Sequence, residues 1–322
     1  MNEHLLINLY RKMNSSDGQI QIALGYVGEL EQFLTRNNLS FENADIEIIK
    51  KYIHLLIDND KNSTDRLVAI ARYFYLINRN DIYIYFTSIL GRIGVIDSIK
   101  NNLKELGGEE ITWKLFNNFC EPPLGIDFQE VNRFTAEMME RFENNLSPPV
   151  YKKILAGNHH QISPHAFSEE KELFNSSDSL EEYLKDRHRR KVAELQKYCD
   201  EGKVWYEQII TQPVVDFVRE NQEILSAIKI NNKLYITKIP YDPDRYLKET
   251  DPVLKRYYAC HCPLARESIL NDQIKISPNW CYCSGGFAKF PFEVILNCEL
   301  EVELLECVLN GSERCRFAIE LP

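Results

Sequence analysis

The chain has 322 residues, a formal net charge of -10 and a sequence pI near 5.4. A negatively charged molecule repels phosphate backbones and anionic membranes, so nucleic acid and membranes are not expected as partners. Hydrophobic residues make up 44% of the chain, and its length suggests two domains. The start, Met1-Asn2-Glu3-His4, lacks the positive charge of a secretory signal, and no apolar run approaches the roughly 20 residues that span a bilayer. We therefore expect a cytoplasmic protein.

The N-terminal part of the chain shows the spacing of amphipathic helices. Apolar residues recur every three to four positions from Ile48 to Leu56, and Ser63 or Thr64 can cap a second helix that reaches Leu76. Ser147-Pro148-Pro149 interrupts the helical pattern, because proline lacks an N–H donor and disfavours a helical residue before it. We predict a helical domain over residues 1–148 and a second domain over residues 149–322.

The second part of the chain mixes helix and strand signals. A charged helix is predicted from Leu180 to Tyr198, and the segment from Ile228 to Ile239 resembles a hairpin around the turn dipeptide Asn231-Asn232. The predicted fold class is therefore α+β, with an all-helical N-terminal domain followed by a domain of helices and a small antiparallel sheet.

The end of the chain predicts two paired strands that carry cysteines. Apolar residues alternate with glutamates up to Leu304, and the alternation then shifts phase, as at a β-bulge. Asn310-Gly311-Ser312 turns the chain back. Cys307 and Cys315 both fall on the apolar face, so we predict that they face each other across the hairpin.

Cysteine clustering is the strongest chemical signal in the sequence. Seven of the nine cysteines lie from Cys260 onward, and in a reducing compartment such clusters are more often metal ligands, catalysts or core thiols than disulfides. We predict one metal site, with zinc as the metal, that takes at least three of these cysteines, with Glu303 or Glu306 as further candidates. The six candidate cysteines are Cys260, Cys262, Cys281, Cys283, Cys307 and Cys315.

A nucleophilic cysteine without a metal is the alternative. Pro263 suits the first position of a helix that runs to Leu270, which would make Cys262 the N-cap and lower the pKa of its thiol. His261 is the adjacent candidate base, although side chains that are adjacent on an extended chain point apart. Ser284 can likewise cap a helix after Cys283. A third interpretation treats the cysteines as core thiols, as we also expect for Cys120 and Cys199.

The tail of the chain resembles a known family. Residues 303–317, Glu-Leu-Leu-Glu-Cys-Val-Leu-Asn-Gly-Ser-Glu-Arg-Cys-Arg-Phe, preceded by Gly285-Gly286-Phe287, resemble the end of the vinyl reductase-type small-molecule-binding domain. The amino-thiazoline-carboxylate hydrolase family ends similarly. By this resemblance Cys307 and Cys315 would be zinc ligands beside an apolar ligand pocket. The Cys-His-Cys-Pro and Cys-Tyr-Cys-Ser-Gly-Gly segments are additional to that pattern.

Three functions are compatible with these patterns. The first is a bacterial-type, cytoplasmic protein with a cysteine-based, zinc-binding small-molecule site that serves sensing or hydrolysis. The second is a cysteine-dependent hydrolase of a small sulfur- or nitrogen-containing compound, with Cys262 and His261 as its catalytic residues. The third is an interaction protein with a purely structural zinc. A closed four-ligand site favours the structural role, whereas an open coordination position favours catalysis. The patterns carry no signal for oligomeric state.

Overall fold

The computed structural model describes residues 1–322 and has the predicted α+β composition, with helices throughout and short antiparallel strands in the C-terminal part. The helices are α1 (Glu3–Lys12), α2 (Asp17–Arg36), α3 (Ile46–Asp58), α4 (Thr64–Leu76), α5 (Asn80–Leu90), α6 (Val95–Gly107), α7 (Glu109–Phe116), α8 (Phe128–Asn145), α9 (Pro148–Leu155), α10 (Ser168–Asn175), α11 (Leu180–Glu201), α12 (Gln212–Arg219), α13 (Pro243–Lys248), α14 (Pro252–Ala259) and α15 (Tyr282–Leu296). The strands are β1 (Val204–Trp205), β2 (Gln208–Ile209), β3 (Ile228–Ile230), β4 (Lys233–Thr237), β5 (Val302–Glu306) and β6 (Arg316–Glu320).

The chain forms two compact units that do not follow the boundary expected from the proline pair. Unit 1 comprises residues 1–91 and 122–130, and unit 2 comprises residues 92–121 and 131–322. Ser147 precedes α9, and Pro148 occupies its first turn, where the missing N–H of proline costs no hydrogen bond. The proline pair therefore starts a helix within unit 2 and does not mark a linker.

Unit 1 is helical, as the spacing of apolar residues predicts. The predicted helices appear as α3 and α4, and the side chain of Ser63 caps α4 by accepting a hydrogen bond from the backbone N–H of Arg66. The side chain of Asp45 caps α3 in the same way. One face of each helix is buried, including Ile49, Ile53 and Phe74, so these amphipathic faces form a single core.

One apolar stretch, Asn80–Gly107, is long and apolar enough to cross a membrane by length and composition. The chain turns within it between α5 and α6, where Gly94 has a φ of +71°, and 44% of its most apolar window is buried. Buried core helices of soluble proteins have the same composition, so the stretch is weak evidence for a membrane span. Buried cores and charged surfaces give the chain the features of a soluble protein.

A four-stranded antiparallel sheet organises unit 2, with the strand order β3-β4-β6-β5. The predicted hairpin is confirmed as β3 and β4, and Asn231 at its turn has a left-handed φ of +53°. The predicted bulge is also confirmed, since the β5–β6 register shifts between Leu304 and Glu306. The charged helix appears as α11, whose buried Tyr183 and Leu184 pack in one core with sheet residues.

Helix α15 packs closely on this sheet and on the segment after α9 because it carries two glycines. A Cβ on Gly285 would lie 3.3 Å from Val302 and Phe317, and a Cβ on Gly286 would lie 2.3 Å from the carbonyl oxygen of Gly157. The glycine pair therefore permits close packing of the backbone. The contact fixes the position of α15, which carries Cys283 and follows Cys281.

Candidate functional site

Four of the six candidate cysteines lie together in one buried core of unit 2. They come from three separate parts of the sequence: the end of α14, the start of α15 and the two ends of the β5–β6 connection. This thiol cluster consists of Cys260, Cys281, Cys307 and Cys315. Cys281 lies close enough to hydrogen-bond both Cys307 and Cys315.

The hairpin positions Cys307 and Cys315 as the sequence predicts. Glu306 pairs with Arg316 at the end of the β5–β6 ladder, and the two cysteines follow outside it, both buried. A 3-10 helix over Val308–Asn310 and Gly311 with a φ of +85° close the connection between them. Their burial among apolar side chains agrees with their place on the apolar phase of the strands.

Each Cys-x-Cys segment contributes only its first cysteine to the thiol cluster. Residues two apart point about 200° apart around a helix, so Cys283 on α15 does not share the direction of Cys281, which precedes the first residue of that helix. Cys260 and Cys262 follow the end of α14 without regular secondary structure. Cys262 lies at the edge of the core that holds the cluster. Cys283 is buried elsewhere, near enough to Cys262 that Cys262, together with burial, raises the pKa of Cys283.

The protonation states within the cluster are unequal. Hydrogen bonds to Cys307 and Cys315, together with burial, raise the pKa of Cys281 well above its usual range. The hydrogen bond from Cys281 lowers the pKa of Cys307, and it lowers the pKa of Cys315 to about 7. Burial raises the pKa of Cys260. The single S–H of Cys281 can donate to one acceptor at a time, and Cys315 is the neighbour whose pKa lies near neutral, so Cys315 is the acceptor that ionises most readily. Thiolates are the form that binds metals.

The thiols are not arranged for coordination as their side chains stand. No group of three or more His, Cys, Asp and Glu side chains is disposed to hold a metal ion. Metal binding by the thiol cluster would therefore require its sulfur atoms to move closer together. Glu303 and Glu306 take part in ion pairs, since Glu303 lies 3.3 Å from Lys233 and Glu306 accepts two hydrogen bonds from Arg314.

Cys262 is not the N-cap of an α-helix, contrary to the sequence prediction. Pro263 begins a turn, which leads into a 3-10 helix over Arg266–Leu270. The buried side chain of Asn132 donates to the carbonyl oxygen of Pro263 over 3.1 Å and accepts from the backbone N–H of Ser268 over 2.7 Å. These bonds replace those of a regular helix, so a distant asparagine decides the local conformation.

The expected activation of Cys262 is therefore absent. Burial raises the pKa of the Cys262 thiol, although hydrogen bonds from Trp280 and from the backbone N–H of Leu264 oppose this effect. Ser284 is not a cap either, because α15 begins two residues earlier and Cys281 precedes its first residue. A buried thiol with a raised pKa is a weak nucleophile at neutral pH.

His261 is held away from Cys262. Its Nε2 lies 2.6 Å from the carbonyl oxygen of Ile239 and its Nδ1 lies 3.1 Å from a carboxylate oxygen of Glu207. A carbonyl oxygen only accepts hydrogen bonds, so Nε2 carries a proton. A second proton lies between Nδ1 and the Glu207 carboxylate, and the two groups share it. Burial lowers the pKa of His261. Both ring nitrogens are thus engaged, and neither serves as a base for Cys262.

Lys238 lies next to this site, and the sequence analysis did not identify it. Its backbone N–H donates to the carbonyl oxygen of Cys315 over 3.0 Å, directly after strand β4. The positive charge of its ammonium favours lower pKa values for Glu207, Cys262 and Cys283. Its Nζ lies 5.2 Å from the centre of the Phe287 ring. Lysine is a common residue at the exposed ends of strands, so the sequence around Lys238 gave no sign of a functional role.

Glu207 and Trp280 are further site residues without a clear sequence signal. Glu207 lies in the two-residue turn between β1 and β2, where Tyr206 has a φ of +53°. Trp280 lies in a 3-10 helix over Pro278–Cys281 whose N-cap is Ser277. Neighbouring cysteines could have drawn attention to Trp280, whereas only the tertiary structure brings Glu207 to His261.

Comparison with known proteins gives one partial match. Residues 241–321 match a family of unknown function (DUF6144). The matched segment contains the thiol cluster, Cys262, Cys283 and His261, and it leaves out Lys238 and Glu207. No curated protein and no solved structure matches the chain. The segment with the candidate cysteines is therefore similar to a family whose function is itself unknown.

Proposed function

We propose that the protein is a cytoplasmic small-molecule-binding protein whose site is supported by a zinc ion. Cys260, Cys281, Cys307 and Cys315 would hold the zinc. The observation that carries this proposal is the meeting of these thiols, from three segments, in one buried core. Four thiolates suit the tetrahedral preference of zinc and its affinity for sulfur.

The number of cysteines favours a supporting role for the metal. A four-thiolate site leaves no open coordination position, and zinc sites of this kind stabilise folds and do not activate water. The ion would tie the end of α14 and the start of α15 to the β5–β6 hairpin. Small molecules would then bind beside the metal, near Lys238, His261 and Phe287, in agreement with the resemblance to a ligand-binding domain.

The alternative of a cysteine-dependent hydrolase has less support. Cys262 is half-buried, its pKa is raised, and His261 is bound to Glu207 and Ile239. A nucleophilic cysteine needs an adjacent base or a lowered pKa, and this geometry offers neither. The net charge of -10 likewise argues against nucleic acid as a partner.

Metal analysis of the purified full chain tests the proposal. We expect about one zinc ion per chain without added metal, because a structural site retains its ion through purification. Cys281→Ser should lose the metal, since Cys281 lies at the centre of the thiol cluster. Cys298→Ser is the matched control, because Cys298 packs in a different core. Absence of bound metal in the unmodified protein, or full metal content in Cys281→Ser, would refute the proposal.

A further inference from the structure

Lys238 is half-buried, and its ammonium forms no salt bridge, although it lies near Glu207 and Cys315 and lowers the pKa of both. Two other half-buried lysines of unit 2 are paired: Lys233 lies 2.7 Å from Glu320, and Lys289 donates to Glu293. The Lys238 ammonium makes no hydrogen bond, and its Nζ lies over the Phe287 ring. Glu207, a nearby carboxylate, is bound to His261. Partial burial of an unpaired charge is costly, so an anion that reached Lys238 would gain a favourable contact.

The register of the sheet explains the position of this ammonium. Thr237 pairs with Arg316, so Lys238 lies opposite Cys315 on the neighbouring strand, and their side chains share a face of the sheet. Helix α15 packs on the same sheet, and its residues Cys283 and Phe287 are one turn apart on one helix face. The Lys238 side chain thus runs from the thiol cluster toward Phe287.

Solvent reaches this position through Phe287. Its ring is 41% exposed, which is unusual for a large aromatic side chain on a helix that packs on a sheet. The exposed His160 ring stands edge-on to it with the ring centres 5.3 Å apart. An accessible apolar ring thus lies beside an unpaired cation, so the two offer complementary contacts to a molecule with an apolar body and one negative charge.

We propose that Lys238 and Phe287 bind a small organic monoanion, namely a carboxylate whose apolar body lies on the Phe287 ring. This inference rests on the proposed small-molecule function, because it names the class of ligand for that site. It does not depend on the metal being zinc. A single unpaired ammonium matches one negative charge. A dianion such as phosphate would leave one charge uncompensated close to the Glu207 carboxylate, so monoanions are favoured.

Binding of defined acids to the purified, full-length protein tests this inference. The probes are benzoate and hexanoate, and their neutral counterparts are benzamide and hexanamide, all followed by saturation-transfer NMR. We expect both acids to bind more tightly than their amides. Lys238→Met should weaken binding of the acids by up to about fivefold, the effect of losing one partly exposed ion pair, and leave the amides unchanged. Lys238→Arg should retain acid binding, because it keeps the charge.

Two further variants separate recognition from folding. Phe287→Ala should weaken acids and amides alike, because it removes the apolar surface. Lys185→Met, on the exposed side of α11, should behave as the unmodified protein. Metal content is measured on the same samples. If the protein contains no metal and still binds the acids through Lys238, the proposed zinc site is refuted and this inference stands. The inference is overturned if neither acid binds, if acids and amides bind equally, or if Lys238→Met binds the acids normally.

Discussion

The indole N–H of Trp280 donates a hydrogen bond to the sulfur of Cys262 over 3.2 Å. The Trp280 side chain is only 1% exposed, so this bond lies inside the protein and directs the sulfur inward. Together with the turn at Pro263, it holds Cys262 at the edge of the core, with a polar contact to its sulfur. The residue that the sequence favoured as a nucleophile is therefore shielded.

The order of thiol labelling follows from this shielding. In the native protein we expect iodoacetamide to modify the exposed Cys120 first and Cys262 much later, because burial raises the pKa of Cys262 and blocks access. Peptide mass spectrometry after trace labelling measures the order. Denatured protein is the control, since all nine cysteines should then react at similar rates. Labelling of Cys262 ahead of Cys120 would contradict the structure.

The two positions of each Cys-x-Cys segment should differ in metal binding. Cys260→Ser should lose zinc and unfold at a lower temperature, because binding to a folded site contributes to folding free energy. Cys283→Ser should keep the metal, since Cys283 lies outside the core that holds the thiol cluster. Metal analysis and thermal unfolding before and after chelation measure both effects. Equal loss of zinc from the two variants would show that the four-cysteine assignment is wrong.

Close packing at Gly286 should make this position intolerant of a side chain. An added Cβ would lie 2.3 Å from the carbonyl oxygen of Gly157, so the helix must shift. We expect Gly286→Ala to lower the free energy of unfolding by about 1–3 kcal/mol or more, the usual cost of overpacking. Urea unfolding followed by circular dichroism measures it. Gly25→Ala is the matched control, because Gly25 lies in α2 with no heavy atom within 4 Å of an added Cβ.

That control should be neutral or stabilising, since alanine favours helix more than glycine by about 1 kcal/mol. An equal effect of the two substitutions on the free energy of unfolding would mean that the Gly286 contact is looser than observed.

Acid should destabilise unit 2 through Glu170. Burial would raise the pKa of Glu170, but hydrogen bonds from Arg190 and Tyr183 outweigh it and lower the pKa from 4.5 to about 2. A carboxylate with a lowered pKa stabilises the fold above its unfolded pKa, and this stability is lost as the pH falls toward 2. We expect a loss on the order of 2 kcal/mol between about pH 5 and pH 2 from this group.

Glu170→Gln isolates this contribution, because glutamine does not ionise. The variant should be less stable than the unmodified protein at pH 6, and the difference should shrink at pH 2.5. Urea midpoints at the two pH values measure the change. A difference that stays constant with pH would exclude Glu170 as the titrating group.

The sequence determined the elements whose signals are local. Helices α3, α4 and α11, the β3–β4 hairpin and the bulge before Cys307 all follow from periodicity, capping residues and turn dipeptides, which act within a few residues. The alternation of the last strands likewise placed Cys307 and Cys315 on the apolar face. These features depend on neighbouring residues alone, so a single chain reveals them.

The tertiary structure decided how the remaining cysteines are used. Asn132, far away in the sequence, holds the turn after Cys262 and removes the expected helix N-cap. The packing of α15 brings Cys281 to the hairpin and leaves Cys283 outside, and the sheet register places Lys238 beside Cys315. The spacing of residue types in the sequence indicates which side chains can bind or react. The directions in which those side chains point depend on long-range packing, which no local pattern encodes.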